Sequence, residues 1–398
     1  MEGQTAEQTS EQPTANPFTA ELAACPQPEY ARLRSQCPVA RLPYIGMPIV
    51  ARHEDVMWAL RHPDVFSSEM AQEVSLGTER PMIPQQIDPP LQTRYRKILD
   101  PQFSRKRMAE LEPRIRAHAV ELIDAVQGKG ECEFDAAFAI PLPCTAFLGL
   151  MGLPAEELQL FLELKDGIIR PPVPSGDLNA GREHRRETGR RIYEYFEGLI
   201  DQRLAESRDD VMSYLVRAEI DGQRLSRNEI LDICFLFLLG GLDTVTATLG
   251  CSVAYLAENP EQRRRIVEDP AKIPAAVEEL LRWETPVMAI PRVARQDVVL
   301  SGQQIKKGEL VTFLIGSANT DETAFVDANR VDFDREANRH IAFGAGPHRC
   351  LGSHLARMEL RVALEEWHRR IPDYRIKPGE TPIYTTGIRE VRYLPLVW

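Results

Sequence analysis

Apolar positions recur at helical spacing along most of this chain, with short β-like interruptions. Residues 26–36 and 53–61 have that spacing, and between them Val39–Ala51 carries β-branched residues around Ile45-Gly46, which predicts two short strands. Phe66 to Ile87 has no clean period, contains Pro81 and Pro84, and is long for a connection. Such segments are often functional loops or lids. Asp88-Pro89-Pro90 predicts a helix opening with an N-cap acid, and helical patterns continue to Val126. Residues 140–204 read as mostly helical with a break at 170–176, and the Arg-rich stretch 182–191, which also holds Glu183 and Glu187, reads as a solvated helix face. A long helix follows over 226–258, apolar nearly all round in its middle, which predicts burial on every side. Residues 271–283 form a further amphipathic pattern, 298–300 and 310–315 read as strands, and 327–339 is irregular. A helix over 350–370 then precedes a β-rich tail. The expected fold class is mainly α with small β-sheets.

Length alone, 398 residues, suggests two or three domains, yet there is no internal repeat and no low-complexity linker. The expectation is therefore a polar tail over residues 1–16 and one helix-rich domain over 17–398. Counting glycine, about 49% of residues are apolar, inside the band of ordinary globular chains. With 48 Lys plus Arg against 59 Asp plus Glu the net charge is −11, and no long basic run occurs, so nucleic acid is not expected as a partner. The N-terminus lacks a basic start and an apolar core, and the most apolar run, 233–242, is far short of the roughly 20 residues of a membrane span. Neither a targeting segment nor a membrane anchor is expected. Seven cysteines, at 25, 37, 132, 144, 234, 251 and 350, are scattered without metal-site spacing, which suggests a reduced, cytoplasmic setting.

The densest chemistry lies in Phe343-Gly344-Ala345-Gly346-Pro347-His348-Arg349-Cys350-Leu351-Gly352. Two glycines and a proline make a tight loop whose amides can converge on one sulfur, and the following helix start favours a thiolate at Cys350. Such a thiolate serves as nucleophile or metal ligand. With no second Cys or His ligand nearby it suits haem iron, which already has four porphyrin nitrogens. The bland alternative, an inert cysteine in a turn, loses to the surrounding pattern.

That segment resembles the haem-thiolate signature of the cytochromes P-450, with Phe343, Gly346, His348, Cys350 and Gly352 at every specified position. Glu279-Leu280-Leu281-Arg282 resembles the family's Glu-x-x-Arg, whose side chains share a helical face and tie to the irregular segment before the cysteine loop. Gly240-Gly241-Leu242-Asp243-Thr244 lies mid-helix, where each glycine costs about 1 kcal/mol relative to Ala. The resemblance implies that Thr244 helps hold dioxygen and Asp243 feeds protons towards it, driving O–O cleavage. A buried acid is otherwise expensive. Presence of both implies a monooxygenase, whereas a haem sensor or carrier would need Cys350 without that pair. His348, Arg292 and Arg96 are the cations implied for the two haem propionates, joined by Gln92 where many bacterial members have a His.

The resemblance runs from about Asn16 to Trp398 and is similar in detail to the bacterial camphor-hydroxylase group, through Met82-Ile83-Pro84, Ile273-Pro274-Ala275-Ala276 and the ending Leu394-Pro395-Leu396-Val397-Trp398. It implies haem b, O2 as cosubstrate, and electrons from NAD(P)H through a separate flavoprotein reductase and a [2Fe–2S] ferredoxin docking near Arg96 and Arg105, on a monomer. Pocket candidates by the same comparison are Gln72, Arg80, Leu236, Leu239, Gly240, Met288, Ile290 and Ile388. Camphor hydroxylases have a Tyr where Arg80 stands and an Asp where Ile290 stands, which argues against camphor itself. Arg80 is expected in solvent, the norm for arginine. The expected reaction is hydroxylation of a small, mostly apolar molecule of terpenoid or norisoprenoid type, with an aromatic or fatty carboxylate as the alternative if Arg80 faces the pocket.

Overall fold

The computed structural model describes residues 13–70, 76–174 and 177–398, and helices carry most of them. The Ser353–Arg370 helix packs along the Arg105–Asp124 helix. Its buried face centres on Trp367, which meets Phe134 edge-on at 4.7 Å and Phe138 at 5.3 Å. The main core runs from Met82 to Leu396, so distant parts of the chain share one apolar interior. A five-stranded sheet lies to one side in the order Val39–Arg41, Pro48–Val50, Leu310–Leu314, Ala289–Ala294, Phe66–Ser67, with Val311 opposite Arg292. A small sheet pairs Arg375–Ile376, Pro395–Val397 and Glu131–Glu133, fixing the C-terminal tail. Residues 182–191 lie on the Leu178–Ala205 helix, where Arg186 and Arg190 pair with Glu183 and Glu187 on an exposed face.

The long apolar helix is two helices, Arg227–Gly241 and Thr244–Glu258, with Leu242-Asp243 between them. A capping box between Ser226 and Glu229 starts the first. The break leaves the Leu242 carbonyl without its helical donor, and Cys144 Sγ at 3.3 Å and Thr246 Oγ1 at 3.4 Å take it up. Thr244 Oγ1 returns to the Gly240 carbonyl at 3.0 Å, a back-bond that helps bend helices. Together the two span 32 residues whose most apolar stretch has a mean hydropathy of 1.8, long and apolar enough to cross a bilayer, yet 72% of that stretch is buried inside the fold. They form its interior axis.

Three expectations about termini change. Pro13 to Ala15 already pair with Arg41, through Ala15 N to Arg41 O at 3.0 Å and Arg41 N to Pro13 O at 2.9 Å, so the ordered chain starts before residue 17. Asp88 does not cap a helix: the helix is Leu91–Leu99 with Pro90 at its cap, and Asp88 bonds Ser67 Oγ and the Ser68 amide instead. Tertiary donors outcompete the local cap. The helix after the cysteine loop starts at Ser353, so Cys350 precedes it by a turn.

That loop is set in place by a buried ion pair. Glu279 and Arg282, both 0% exposed, pair at 2.8 Å on the Ile273–Glu284 helix. Arg282 donates to the carbonyls of Asn319, Ala328 and Arg330, while Glu279 accepts from the Asp332 amide, Arg335 and Asn338. Arg335, itself paired with Glu279, adds bonds to the Val326, Asp327 and Arg330 carbonyls, so charged side chains rather than secondary structure hold the backbone of this irregular stretch. Removing one partner leaves a buried charge, and Arg282→Leu should cost about 3–5 kcal/mol of unfolding free energy. Chemical denaturation of the haem-loaded protein checks this; a loss below about 1 kcal/mol would contradict it.

Candidate active site

The cysteine loop is held from two sides. Cys350 N donates to Phe343 O and Gly344 N to Ile341 O, both at 2.8 Å, while the Ile341 amide bonds Asn319 Oδ1. From the Leu91–Leu99 helix, Gln92 Nε2 donates to Pro347 O at 2.7 Å and Arg96 Nη1 to Arg349 O at 2.6 Å. Gly344 and Gly346 have φ of +70° and +68°, and a Cβ on Gly346 would stand 2.2 Å from the Leu60 carbonyl, so glycine is required there. Gly352 caps the next helix. Arg357 lies over the Phe343 ring at 4.4 Å and pairs with Glu278 at 2.6 Å. The Cys350 thiol is accessible; crowding by protein raises its pKa, opposed by the Gly352 amide and then Arg96, Arg357 and Arg349.

Two arginines, Arg292 and Arg96, and His348 gather beside the loop. Arg292 is buried on its strand, and its one hydrogen bond among the described residues goes to Pro291 O at 2.7 Å. Burial pushes its guanidinium down to about 10, with Asp88 opposing. His348 Nε2 is buried without a hydrogen-bond partner among the described residues, its nearest carboxylate oxygen being Asp88 Oδ1 at 3.8 Å. Burial lowers its pKa, and Arg292 and Arg96 lower it further, while Asp88 opposes. Arg292 and His348 are buried, under-bonded donors that need an anion. Two propionates fit. Gln92 gives one of its two amide N–H donors to Pro347 O.

On the Arg227–Gly241 helix Ile230 to Phe235, Phe237 and Leu238 are buried, but Leu236, Leu239 and Gly240 retain accessible surface, as does Thr244 after the break. Spacings of three and four put them on one face, which opens on space rather than on packed protein. A Cβ on Gly240 would touch nothing within 4 Å, whereas one on Gly241 would stand 2.4 Å from Phe147. The two glycines therefore have different causes, open space and close packing. Met288 is buried; Ile290 and Ile388 are half-buried, and Ile388 bridges Val287. Gln72 lies outside the described residues.

Asp243 is 1% exposed and doubly paired, with Lys165 Nζ at 2.8 Å and Arg170 Nη2 at 2.8 Å. Burial alone would raise its pKa, but Lys165 and then Arg170 hold it below the ordinary value. Sequence reasoning missed both cations and Glu390, 2.5 Å from the same Arg170 nitrogen. A lysine inside the apolar run 158–169 was the one available signal. Arg80, expected in solvent, instead bonds both Asp232 oxygens through Nε, at 3.1 and 3.0 Å, and lies over the Tyr193 ring at 4.9 Å. A buried carboxylate one turn before Leu236 draws it inward.

A family model of the cytochromes P450 matches residues 177–370. The mycinamicin IV hydroxylase/epoxidase of Micromonospora griseorubida is 34% identical across 98% of this chain and 100% of its own length. The steroid C26-monooxygenase of Mycolicibacterium smegmatis is 34% identical over 87% and 86%. The solved structure of CYP109E1 from Bacillus megaterium with testosterone superposes with a TM-score of 0.88 at 28% identity, covering 95% of this chain and 99% of that one. The chain belongs to the cytochrome P450 family. It is a monooxygenase of that family, with haem iron as its metal and dioxygen as cosubstrate.

The two glycines give a paired prediction. Gly241→Ala should lower stability by about 1–3 kcal/mol through overpacking against Phe147. Gly240→Ala should leave stability unchanged or raise it by about 1 kcal/mol, and alter substrate affinity because its methyl enters the open space. Thermal unfolding of both variants checks this; equal losses would contradict it.

Proposed function

We propose that this monooxygenase hydroxylates a small, mostly apolar organic molecule of terpenoid or norisoprenoid type. The observation that carries the reading is the accessible strip of Leu236, Leu239, Gly240 and Thr244 beside the buried run 230–235 of the same axis. It offers apolar contact along one edge and a hydroxyl at its end. A relative named as a steroid C26-monooxygenase shares the frame, which supports an alicyclic skeleton as substrate.

Cys350 would hold the haem iron through its thiolate, and Arg292, His348 and Arg96 would neutralise the propionates, with Phe343, Gly344, Gly346 and Gly352 shaping the loop. Bound haem supplies the centre at which dioxygen is reduced and one of its oxygen atoms is inserted into a C–H bond. Thr244 orients a hydrogen bond at the head of the apolar strip. Asp243, a carboxylate held by Lys165 and Arg170, feeds protons towards it, and Met288, Ile290 and Ile388 exclude water from the substrate side. Two electrons come from NAD(P)H through a flavoprotein reductase and a [2Fe–2S] ferredoxin. The docking face is the cysteine-loop surface, where Arg349, Arg105 and Lys106 are exposed; Arg96 is turned inward to Asp100 and Arg349 O. Residues 13–398 act as one haem domain in a cytoplasmic monomer.

A specific observation favours a second substrate class. Arg80 uses only Nε on Asp232, and its two terminal nitrogens make no hydrogen bond among the described residues. They can fork onto a carboxylate at the end of the strip remote from Thr244. Titration of the haem spin state with terpenoids and with aromatic and fatty acids separates the readings. Terpenoids should shift it in the native protein and in Arg80→Leu alike. A shift with acids alone, lost at least tenfold in affinity in Arg80→Leu, would replace the first reading with the second.

A further inference from the structure

We infer that Glu390 is a positioning residue for proton supply: by sharing the Arg170 guanidinium with Asp243, it sets how readily Asp243 takes up and gives back a proton beside Thr244. The inference rests on the reading of Asp243 as the carboxylate that feeds protons towards Thr244. Its basis is geometric. One nitrogen, Arg170 Nη2, lies 2.8 Å from Asp243 Oδ2 and 2.5 Å from Glu390 Oε2. Lys165 Nζ is divided in the same way between Asp243 Oδ1 at 2.8 Å and Asp166 Oδ1 at 3.1 Å. Glu390 is buried, and the extended backbone there turns its neighbour Arg389 the other way, onto Glu284 and the Ala23 carbonyl.

Two carboxylates competing for one cation raise each other's proton affinity. Burial and the Asp243 charge push the Glu390 carboxyl up, against Arg170, Lys165 and Arg392. The groups facing the cluster are Lys165, Asp166 and Arg170 at one helix end, Arg392 at 3.4 Å from Glu390 Oε1, and Asp135 with Glu133. Burial, then Glu133 and Glu390, raises Asp135 to about 7. Asp166 and Arg392 are 40% and 48% exposed, so the cluster joins a carboxylate that is 1% exposed to water. Asp243 rests as the carboxylate, takes up one proton from solvent by way of that exposed edge and hands it on, returning to the carboxylate; no electron moves in this step.

Neutralising Glu390 gives Arg170 Nη2 wholly to Asp243, with Nη1 staying on Asp166 at 2.9 Å, and makes Asp243 harder to protonate. Removing Arg392 frees Glu390 to bind Arg170 more closely and does the opposite. Isotope-edited infrared titration of the aspartate carboxyls, with Asp243→Asn marking its band, reads this in the haem-loaded protein without turnover. Glu390→Gln should move the Asp243 titration about one unit to lower pH. The same variant should lower kcat several-fold with a larger solvent deuterium isotope effect and KM unchanged, and Glu390→Asp should restore both. Arg392→Leu should move the titration to higher pH, and it keeps the test alive if Glu390→Gln does not fold. Unshifted titrations, or shifts of one sign in both variants, would overturn the inference. An Asp243→Asn protein with native turnover and isotope effect would instead overturn the reading on which it rests.

Discussion

The Glu279–Arg282 pair is the constraint on which the active-site loop depends. A fully buried ion pair is a costly element unless every lone pair and proton around it is used. Here the surplus hydrogen-bonding capacity is spent on the backbone of 319–338, a stretch with no ladder of its own. That stretch leads directly into the cysteine loop, so two charges on one helix fix the approach to Cys350. Gln92 and Arg96 hold the loop from the other side through the Pro347 and Arg349 carbonyls. The cysteine is presented by a frame of charged side chains bonded to main chain, which no apolar contact could orient as well.

A second buried charge shapes the interior axis. The chain leaves helical geometry at Leu242-Asp243, and the Asp243 carboxylate is held by Lys165 and Arg170. The break and the ion cluster are one feature: the bend carries the acid to its cations and leaves Thr244 at the end of the accessible strip. Open space over Gly240 and tight packing under Gly241 keep that strip on one side of the axis.

What the sequence made legible was local. The cysteine loop, Glu279 with Arg282, and Asp243-Thr244 each occupy a few consecutive positions with a physical reason for each residue, and the helical periods placed most elements. What it hid was long-range. Lys165 and Arg170 reach Asp243 across separations of 78 and 73 residues, and Arg80 reaches Asp232 across 152. No spacing rule connects such pairs. Asp88 shows the converse error: an acid before two prolines has the local form of a helix cap, but Ser67 and Ser68 supplied better donors. The break in the long helix was foreshadowed by Gly240-Gly241, yet the unbroken apolar pattern outweighed it in the reading of period alone.

The central claim is that Cys350 binds haem iron as a thiolate in a loop built for it. The carbon-monoxide difference spectrum of the reduced protein tests this most directly. The account predicts a Soret maximum at the position characteristic of thiolate ligation, lost in Cys350→His with haem still bound. A native protein whose reduced carbon-monoxide complex has the maximum of a histidine-ligated haem, or which binds no haem, would contradict it.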